Sequence, residues 1–205
     1  MKRPTTILFG LMLMATALLA QNETPLDNAA TTEFLRNMAQ TALNTQHLEC
    51  LFEQQRHVSV LTEPTLSRGR MSYTAPAQLS WQYTSPQPMN ISLNDGLCRI
   101  NNAQGEVNIP PAAQRHIRSL TQLISSLVDG TALTDSKAFS TELNKLSNNR
   151  VQVRLTPKNS KIRKMFEQID MEIDPHTMRC QTITLRETSG DRTNIEFSNI
   201  ITTSK

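Results

Sequence analysis

The sequence predicts a mainly β (α+β) chain: one curved, mostly sequential antiparallel sheet into which two helices are inserted. Three observations predict it. Apolar and polar residues alternate over short segments from Leu48 onward, turn-forming clusters separate those segments, and only two stretches carry clear three-to-four apolar spacing. No βαβ rhythm is visible, so a parallel sheet is not expected.

The chain starts with a leader. Lys2 and Arg3 are followed by the apolar run Ile7 to Leu19, and Ala17-Leu18-Leu19-Ala20 offers a small residue for cleavage. The run is shorter than the roughly 18 to 20 residues of a membrane-spanning helix. Position 21 is Gln, so the cysteine that bacterial lipoproteins acylate is missing. The expected organisation is a signal peptide over 1–20 and a single exported domain over 21–205.

Asp27 is a candidate N-cap for a helix running to about Thr45, with Phe34, Leu35, Met38, Ala42 and Leu43 on one side. The first strand alternates through Leu48, Cys50 and Phe52 and reaches Val58 and Val60. Thr62-Glu63-Pro64-Thr65 turns the chain into a second strand, Leu66 to Thr74, with Gly69, Met71 and Tyr73 on one face. Pro76 starts a third, in which Leu79, Trp81 and Tyr83 alternate with Ser80 and Gln82.

After the turn Ser85-Pro86-Gln87-Pro88, Met89, Ile91 and Leu93 alternate up to Asn94-Asp95-Gly96, the strongest hairpin signal in the chain. Leu97 to Asn102 and Glu106 to Ile109 read as short strands. Pro110-Pro111 opens the second helix, where Ile117, Leu120, Leu123, Ile124, Leu127 and Val128 form a stripe that ends before Gly130. Residues 131–149 are ambiguous, with only Phe139, Leu143 and Leu146 to bury. Strands return over Arg150 to Leu155, Ile162 to Ile173, Met178 to Glu187 and Thr193 to Ile201.

Charge narrows the function. Setting aside Lys2 and Arg3, the 21 basic residues fall to 19 against 18 acidic ones. Such a balance gives no field for nucleic acid. Cys50, Cys98 and Cys180 are an odd number for an oxidising compartment; one disulfide plus a thiol is an option, and three small buried hydrophobes is the favoured reading. His47, His57, His116 and His176 are scattered, without the spacing of a zinc site, and no metal or cofactor is expected. His47 and Glu49 share one side of a strand and read as a polar pair in solvent. No GxSxG elbow or phosphate-cradling loop occurs, so nothing argues for an enzyme. The cluster Lys158, Lys161, Arg163 and Lys164 is a solvated loop or a docking surface for an acidic partner or anionic lipid headgroups.

Several segments carry a resemblance in their order and spacing. They are Phe52-Glu53-Gln54, Ser67-Arg68-Gly69-Arg70-Met71-Ser72-Tyr73, Ala75-Pro76-Ala77-Gln78-Leu79-Ser80-Trp81-Gln82-Tyr83, Pro86 and Asn94-Asp95-Gly96. Later come Leu155-Thr156-Pro157-Lys158 and Gly190-Asp191-Arg192-Thr193-Asn194-Ile195-Glu196-Phe197. Together they resemble the LolA-type family of periplasmic carriers for outer-membrane lipoproteins.

The resemblance implies an unclosed β-barrel capped by helices, with a hydrophobic cavity between them and no catalysis. It implies a cavity lining of Leu48, Phe52, Met71, Tyr73, Leu79, Trp81, Tyr83, Ile91 and Leu93. The lid would carry Phe34, Met38, Ile117, Leu120, Ile124 and Leu127. Met38, Met71, Met89 and Met171 are either adaptable lining or gap-filling core. The implied partners of this expected monomer are acylated lipoproteins, an inner-membrane exporter and an outer-membrane receptor. A carrier of another acylated lipid on the same fold is the alternative. One departure bears on that choice. Family members hold the lid with an arginine directly before the proline of the third strand; here Ala75 stands there, and Arg68 and Arg70 are the candidate substitutes. Leu97-Cys98-Arg99-Ile100 also replaces the family's aromatic run.

Overall fold

The computed structural model describes residues 23–204, apart from 77, 95, 96, 109, 129 and 130 and the side chains of 111–113, 115, 116, 120, 125, 128, 131 and 134. The leader and the tip of the Asn94-Asp95-Gly96 hairpin therefore lie outside the described residues.

After a two-residue strand β1 (Thr24–Pro25), helix α1 spans Asn28–Asn44. Asp27 caps it as its sequence predicts, the carboxylate accepting from the Ala30 N–H at 2.8 Å. Phe34 and Met38 turn inward and are buried, whereas Leu43 is exposed. Spacing places Leu43 with the inner face, but the helix ends there and the chain turns directly into a strand.

Three longer strands and three shorter ones follow: β2 (Thr45–His57), β3 (Thr65–Thr74), β4 (Gln78–Ser85), β5 (Met89–Asn94), β6 (Leu97–Asn102) and β7 (Gly105–Glu106). They pair in sequence, each antiparallel to the next. Two expected boundaries move. β2 stops at His57, because a turn closed by the Leu61 N–H on the Val58 carbonyl takes over, leaving Val60 and Leu61 in solvent. β7 spans Gly105–Glu106 and so covers only Glu106 of the predicted Glu106 to Ile109, although the Val107 N–H still donates to the Ile100 carbonyl.

Helix α2 (Pro111–Val128) and the short α3 (Thr131–Thr134) lead to β8 (Phe139–Lys145) and β9 (Val151–Pro157). The ambiguous segment is thus a helical turn and a strand, and Phe139, Leu143 and Leu146 are all buried. The predicted start of the next strand at Ile162 is displaced. Asn159 accepts from the Lys161 N–H at 2.9 Å and caps a helical turn, α4 (Ser160–Arg163). The strand itself is β10 (Phe166–Asp174), followed by β11 (Arg179–Glu187) and β12 (Arg192–Ser204).

Among the described residues, twelve strands form one antiparallel sheet in the order β1-β8-β9-β10-β11-β12-β2-β3-β4-β5-β6-β7. It does not close. The order departs from a simple sequential meander twice: β1 lies beside β8 at one edge, and at the centre the last strand lies beside β2. A bulge between Ser198 and Ile201, with Asn199 at φ 52°, bends β12 there. The extra residue turns Ile200 rather than Asn199 toward the interior and leaves Ile201 exposed.

One face of the sheet supplies the core through Leu48, Phe52, Met71, Trp81, Val153, Ile169 and Ile195, all buried. The helices lie over that face. α1 touches β2, α2 touches β5 and β6, and α3 connects both helices and β8. Burial of Leu123 and Leu127 beneath α2 confirms the stripe read from its spacing.

Candidate functional site

Two cavities lie between the sheet and its helices. The larger, about 160 Å³, runs under α2. Its floor is Leu79, Trp81 and Tyr83 of β4, with Ile91 of β5, Leu185 of β11 and Ile195 of β12. Its roof is Ile117, Thr121 and Ile124. Strand alternation accounts for the floor, since Leu79, Trp81 and Tyr83 are two residues apart and share one face.

The smaller cavity, about 50 Å³, lies nearer α1. Met38 and Leu127 come from the two helices, and Leu48, Cys50, Met71, Met171, Met178, Cys180, Ile183, Phe197 and Ile200 from the sheet and the turn before β11, with Arg179 the one charged residue of the lining. Four methionines in one small space make a deformable lining. Met89 is not among them.

Three aromatic rings stand between the two spaces. Phe52 stacks on Trp81 with ring centroids 4.3 Å apart, and Trp81 meets Phe197 edge-on at 6.2 Å. Trp81 borders the larger cavity and Phe197 the smaller. Phe52 also meets Tyr83 edge-on at 5.4 Å. Such pairs contribute about 0.5–1.5 kcal/mol each beyond simple burial.

Of the residues read from sequence as lining, Leu79, Trp81, Tyr83 and Ile91 border the larger cavity and Leu48 and Met71 the smaller. Phe52, Tyr73 and Leu93 are buried in the surrounding core and border neither. Of the residues read as lid, Ile117 and Ile124 roof the larger space, Met38 and Leu127 the smaller, and Phe34 packs in the core. The Leu120 side chain lies outside the described residues.

One end of the larger cavity is polar, and the sequence reading missed it. Gln54 and Arg56 of β2, Glu187 of β11 and Thr193 of β12 converge there. Arg56 donates to Glu187 at 2.7 Å and to Asp191 at 3.0 Å, and Asp191 also accepts from the Ser59 N–H at 3.0 Å. Burial works against the Arg56 charge, but the hydrogen bonds and charges of Glu187 and Asp191 outweigh it and raise its pKa. The Ser59 N–H, helped by Arg56, holds Asp191 below the usual carboxylate range. The Tyr83 hydroxyl donates to Gln54 at 3.1 Å, and burial raises its pKa while Trp81, Gln54 and Arg56 pull it down. The only sequence signal was the entry of polar residues into both faces of β2 after Phe52.

The thiols are free. Burial pushes Cys50 up to about 12, offset in part by a hydrogen bond from the Met71 backbone. Burial likewise raises Cys98 and Cys180. Among the described residues, no group of three or more His, Cys, Asp or Glu side chains could hold a metal. His47 pairs with Glu49 at 3.1 Å, both partly exposed, as the strand reading expects.

The candidate substitutes for a lid-holding arginine are elsewhere. Alternation in β3 turns Arg68 and Arg70 away from Gly69, Met71 and the cavities; Arg68 pairs with Glu53 at 2.8 Å and Arg70 is exposed. Lys158, Lys161, Arg163 and Lys164 are all exposed around α4 rather than on a plain loop. Lys161 also borders a shallow groove of about 400 Å³ beside Gln122 and Ser126 of α2.

An unclosed antiparallel sheet under helices, with apolar space between them, is the architecture that the sequence comparison then names. The family model "Outer membrane lipoprotein carrier protein LolA" matches residues 43–205. The chain belongs to the LolA family. Among curated proteins, no relative matches the sequence. The crystal structure of MucB superimposes with a TM-score of 0.50 at 13% identity, over 85% of this chain and 59% of MucB. The MucA/MucB complex of Pseudomonas aeruginosa gives 0.47 at 13%, over 84% and 57%. The LolA superfamily protein NE2245 from Nitrosomonas europaea gives 0.45 at 8%, over 83% and 92%. In this LolA-family chain, no described helix is long and apolar enough to cross a membrane. Ala75, directly before the proline that leads into β4, donates its backbone N–H to the Gln46 carbonyl at 2.9 Å.

Proposed function

We propose that this protein is a periplasmic carrier that shelters the acyl chains of lipoproteins and moves them from the inner to the outer membrane. The observation that carries the reading is the pair of apolar cavities under α1 and α2 in a LolA-family sheet. Each methylene hidden from water is worth about 0.8 kcal/mol, so acyl chains need such shelter to cross an aqueous space. The described cavities are well below the roughly 300–1,000 Å³ of typical ligand pockets. Loading therefore requires α1 and α2 to lift, and the methionine-rich lining can then repack around different chains.

Export follows from the leader ending near Ala20. The protein acts as a monomer, without cofactor or catalysis. Its partners are an inner-membrane exporter and an outer-membrane receptor, with Lys158, Lys161, Arg163 and Lys164 as a docking surface. The departure at Ala75 favours a second reading, in which the cargo is another acylated lipid.

Native mass spectrometry of protein purified from the periplasm tests both. A bound triacylated lipoprotein or its N-terminal peptide supports the first reading, and a bound glycolipid or fatty-acyl lipid the second. Protein that carries neither, and that takes up no acyl lipid when one is supplied, refutes the carrier role.

A further inference from the structure

We propose that the smaller cavity selects a headgroup: Arg179 binds the oxyanion, phosphate or carboxylate, of an amphiphile whose alkyl chain enters between α1 and the sheet. The inference rests on the carrier reading for the chain and adds an anionic head to it. Arg179 is the one charged residue of this lining. Its guanidinium donates to the hydroxyls of Thr45 and Thr202, each at 3.1 Å. Among the described residues, no carboxylate lies within ion-pair distance of it. Asp174 is opposite Arg179 in the ladder, but its carboxylate accepts from the His176 N–H at 2.9 Å and the Thr177 hydroxyl at 3.0 Å. Glu172 is paired with Arg150 at 2.9 Å.

A half-buried cation without a counter-charge is costly to keep. Burial lowers its pKa accordingly, with no nearby carboxylate to raise it. The Thr45 hydroxyl passes the contact on to the Thr41 carbonyl at 2.8 Å, in the last turn of α1, where only partial negative charge resides. An incoming oxyanion supplies the missing charge, and the planar guanidinium suits two of its oxygens at once. Thr202 accepts from Arg179 and keeps its own hydroxyl hydrogen to donate to that ligand. Because both hydroxyls hold the guanidinium beforehand, little side-chain freedom is lost on binding. The lining is graded to match. Met171 and Ile183 are fully buried, whereas Met178 and Arg179 are partly exposed. Charge toward solvent and apolar surface at depth complement the two halves of an anionic amphiphile.

Three matched probes test this by titration calorimetry at one ionic strength and below micelle formation: dodecyl phosphate, dodecanoate and 1-dodecanol. The protein should bind one or both anions about ten- to a hundredfold more tightly than the alcohol, the range of a hydrogen bond to a charged group. The tighter of the two tells a phosphorylated head from a carboxylate. Arg179→Gln should bring that preference to within about threefold and leave dodecanol binding unchanged. Arg179→Lys keeps the charge without the planar donor pair and should retain part of the preference. Thr202→Val should weaken the anions several-fold and not the alcohol. Equal wild-type affinity for all three probes overturns the inference while leaving the carrier reading intact. A preference for anions that survives undiminished in both Arg179 variants does the same, because another cation is then responsible. Failure of all three probes to bind overturns both.

Discussion

The ring of Phe52 occupies the space that a side chain at Gly69 would fill. A Cβ on Gly69 would stand 2.6 Å from Cζ of Phe52 and would collide with the carbonyl oxygen of Gln82. The two residues are directly opposite in the β2–β3 ladder. Removing one side chain lets the other lie flat and stack on Trp81. The floor of the larger cavity thus depends on a residue that contributes no atoms to it.

Gly69→Ala should therefore destabilise the protein by about 1–3 kcal/mol, the usual cost of overpacking. The conformational benefit of replacing glycine, about 0.4–1 kcal/mol, is smaller and does not offset the clash with backbone. Urea unfolding midpoints check this, and a midpoint equal to wild type would contradict the packing described.

Leu79→Glu or Trp81→Glu should abolish acyl-lipid binding while the protein is still exported. A carboxylate in that floor costs several kcal/mol unless it finds a partner, and it opposes an alkyl chain. Lipid extracted from the purified variants is the readout. Normal lipid content in two folded variants would remove these residues from the site.

Loading should depend little on salt. Among the described residues no ion pair joins α1 or α2 to the sheet, and screening acts on charge pairs rather than on apolar contacts. Ile124→Ala, which trims the roof, should speed uptake of a fluorescent acyl probe several-fold and lower the melting temperature by a few degrees. Uptake that changes tenfold between low and high salt would point to an electrostatic latch instead.

Acid should weaken the polar end. Asp191 has a depressed pKa in the fold, so its stabilisation is present above the ordinary carboxylate value of 3.8 and is lost as pH falls through the folded value. Melting temperature should show no pH dependence from this group between pH 5 and 8, where its stabilisation is fully present, and should drop below about pH 4. Asp191→Asn should flatten part of that drop, and an unchanged acid limb would argue against the Arg56 clamp.

Cys50 should report on lid opening. Its thiol is buried and raised to about 12, so native protein should react slowly with iodoacetamide at pH 8. Mixing with detergent-solubilised acyl lipid should change that rate, because Cys50 borders the smaller cavity. Labelling as fast as in denatured protein would show that the cavity is already open.

Much of the sheet was legible because its signals are local. Leu79, Trp81 and Tyr83 alternate within one strand, and that alternation alone assigned them to one face. It equally turned Arg68 and Arg70 to the other face, once Gly69 and Met71 were placed inside. Asp27 announced its helix, and the stripe through Ile117, Ile124 and Leu127 announced the roof. Local signals failed where a side chain's own partner overrode periodicity. Asn159 capped a turn that made Ile162 helical, and the Val58–Leu61 turn left Val60 in water.

By itself, the order of residues determined the strand faces, the amphipathic helices and the family to which the chain belongs, since each is written in short-range spacing. Only the tertiary structure decided that β12 lies beside β2. That pairing brings Arg56 to Glu187 and Asp191, and Trp81 to Phe197, across separations no periodic pattern encodes. Cavity volume was likewise decided there, because it is the small difference between the room the backbone encloses and the side chains that fill it.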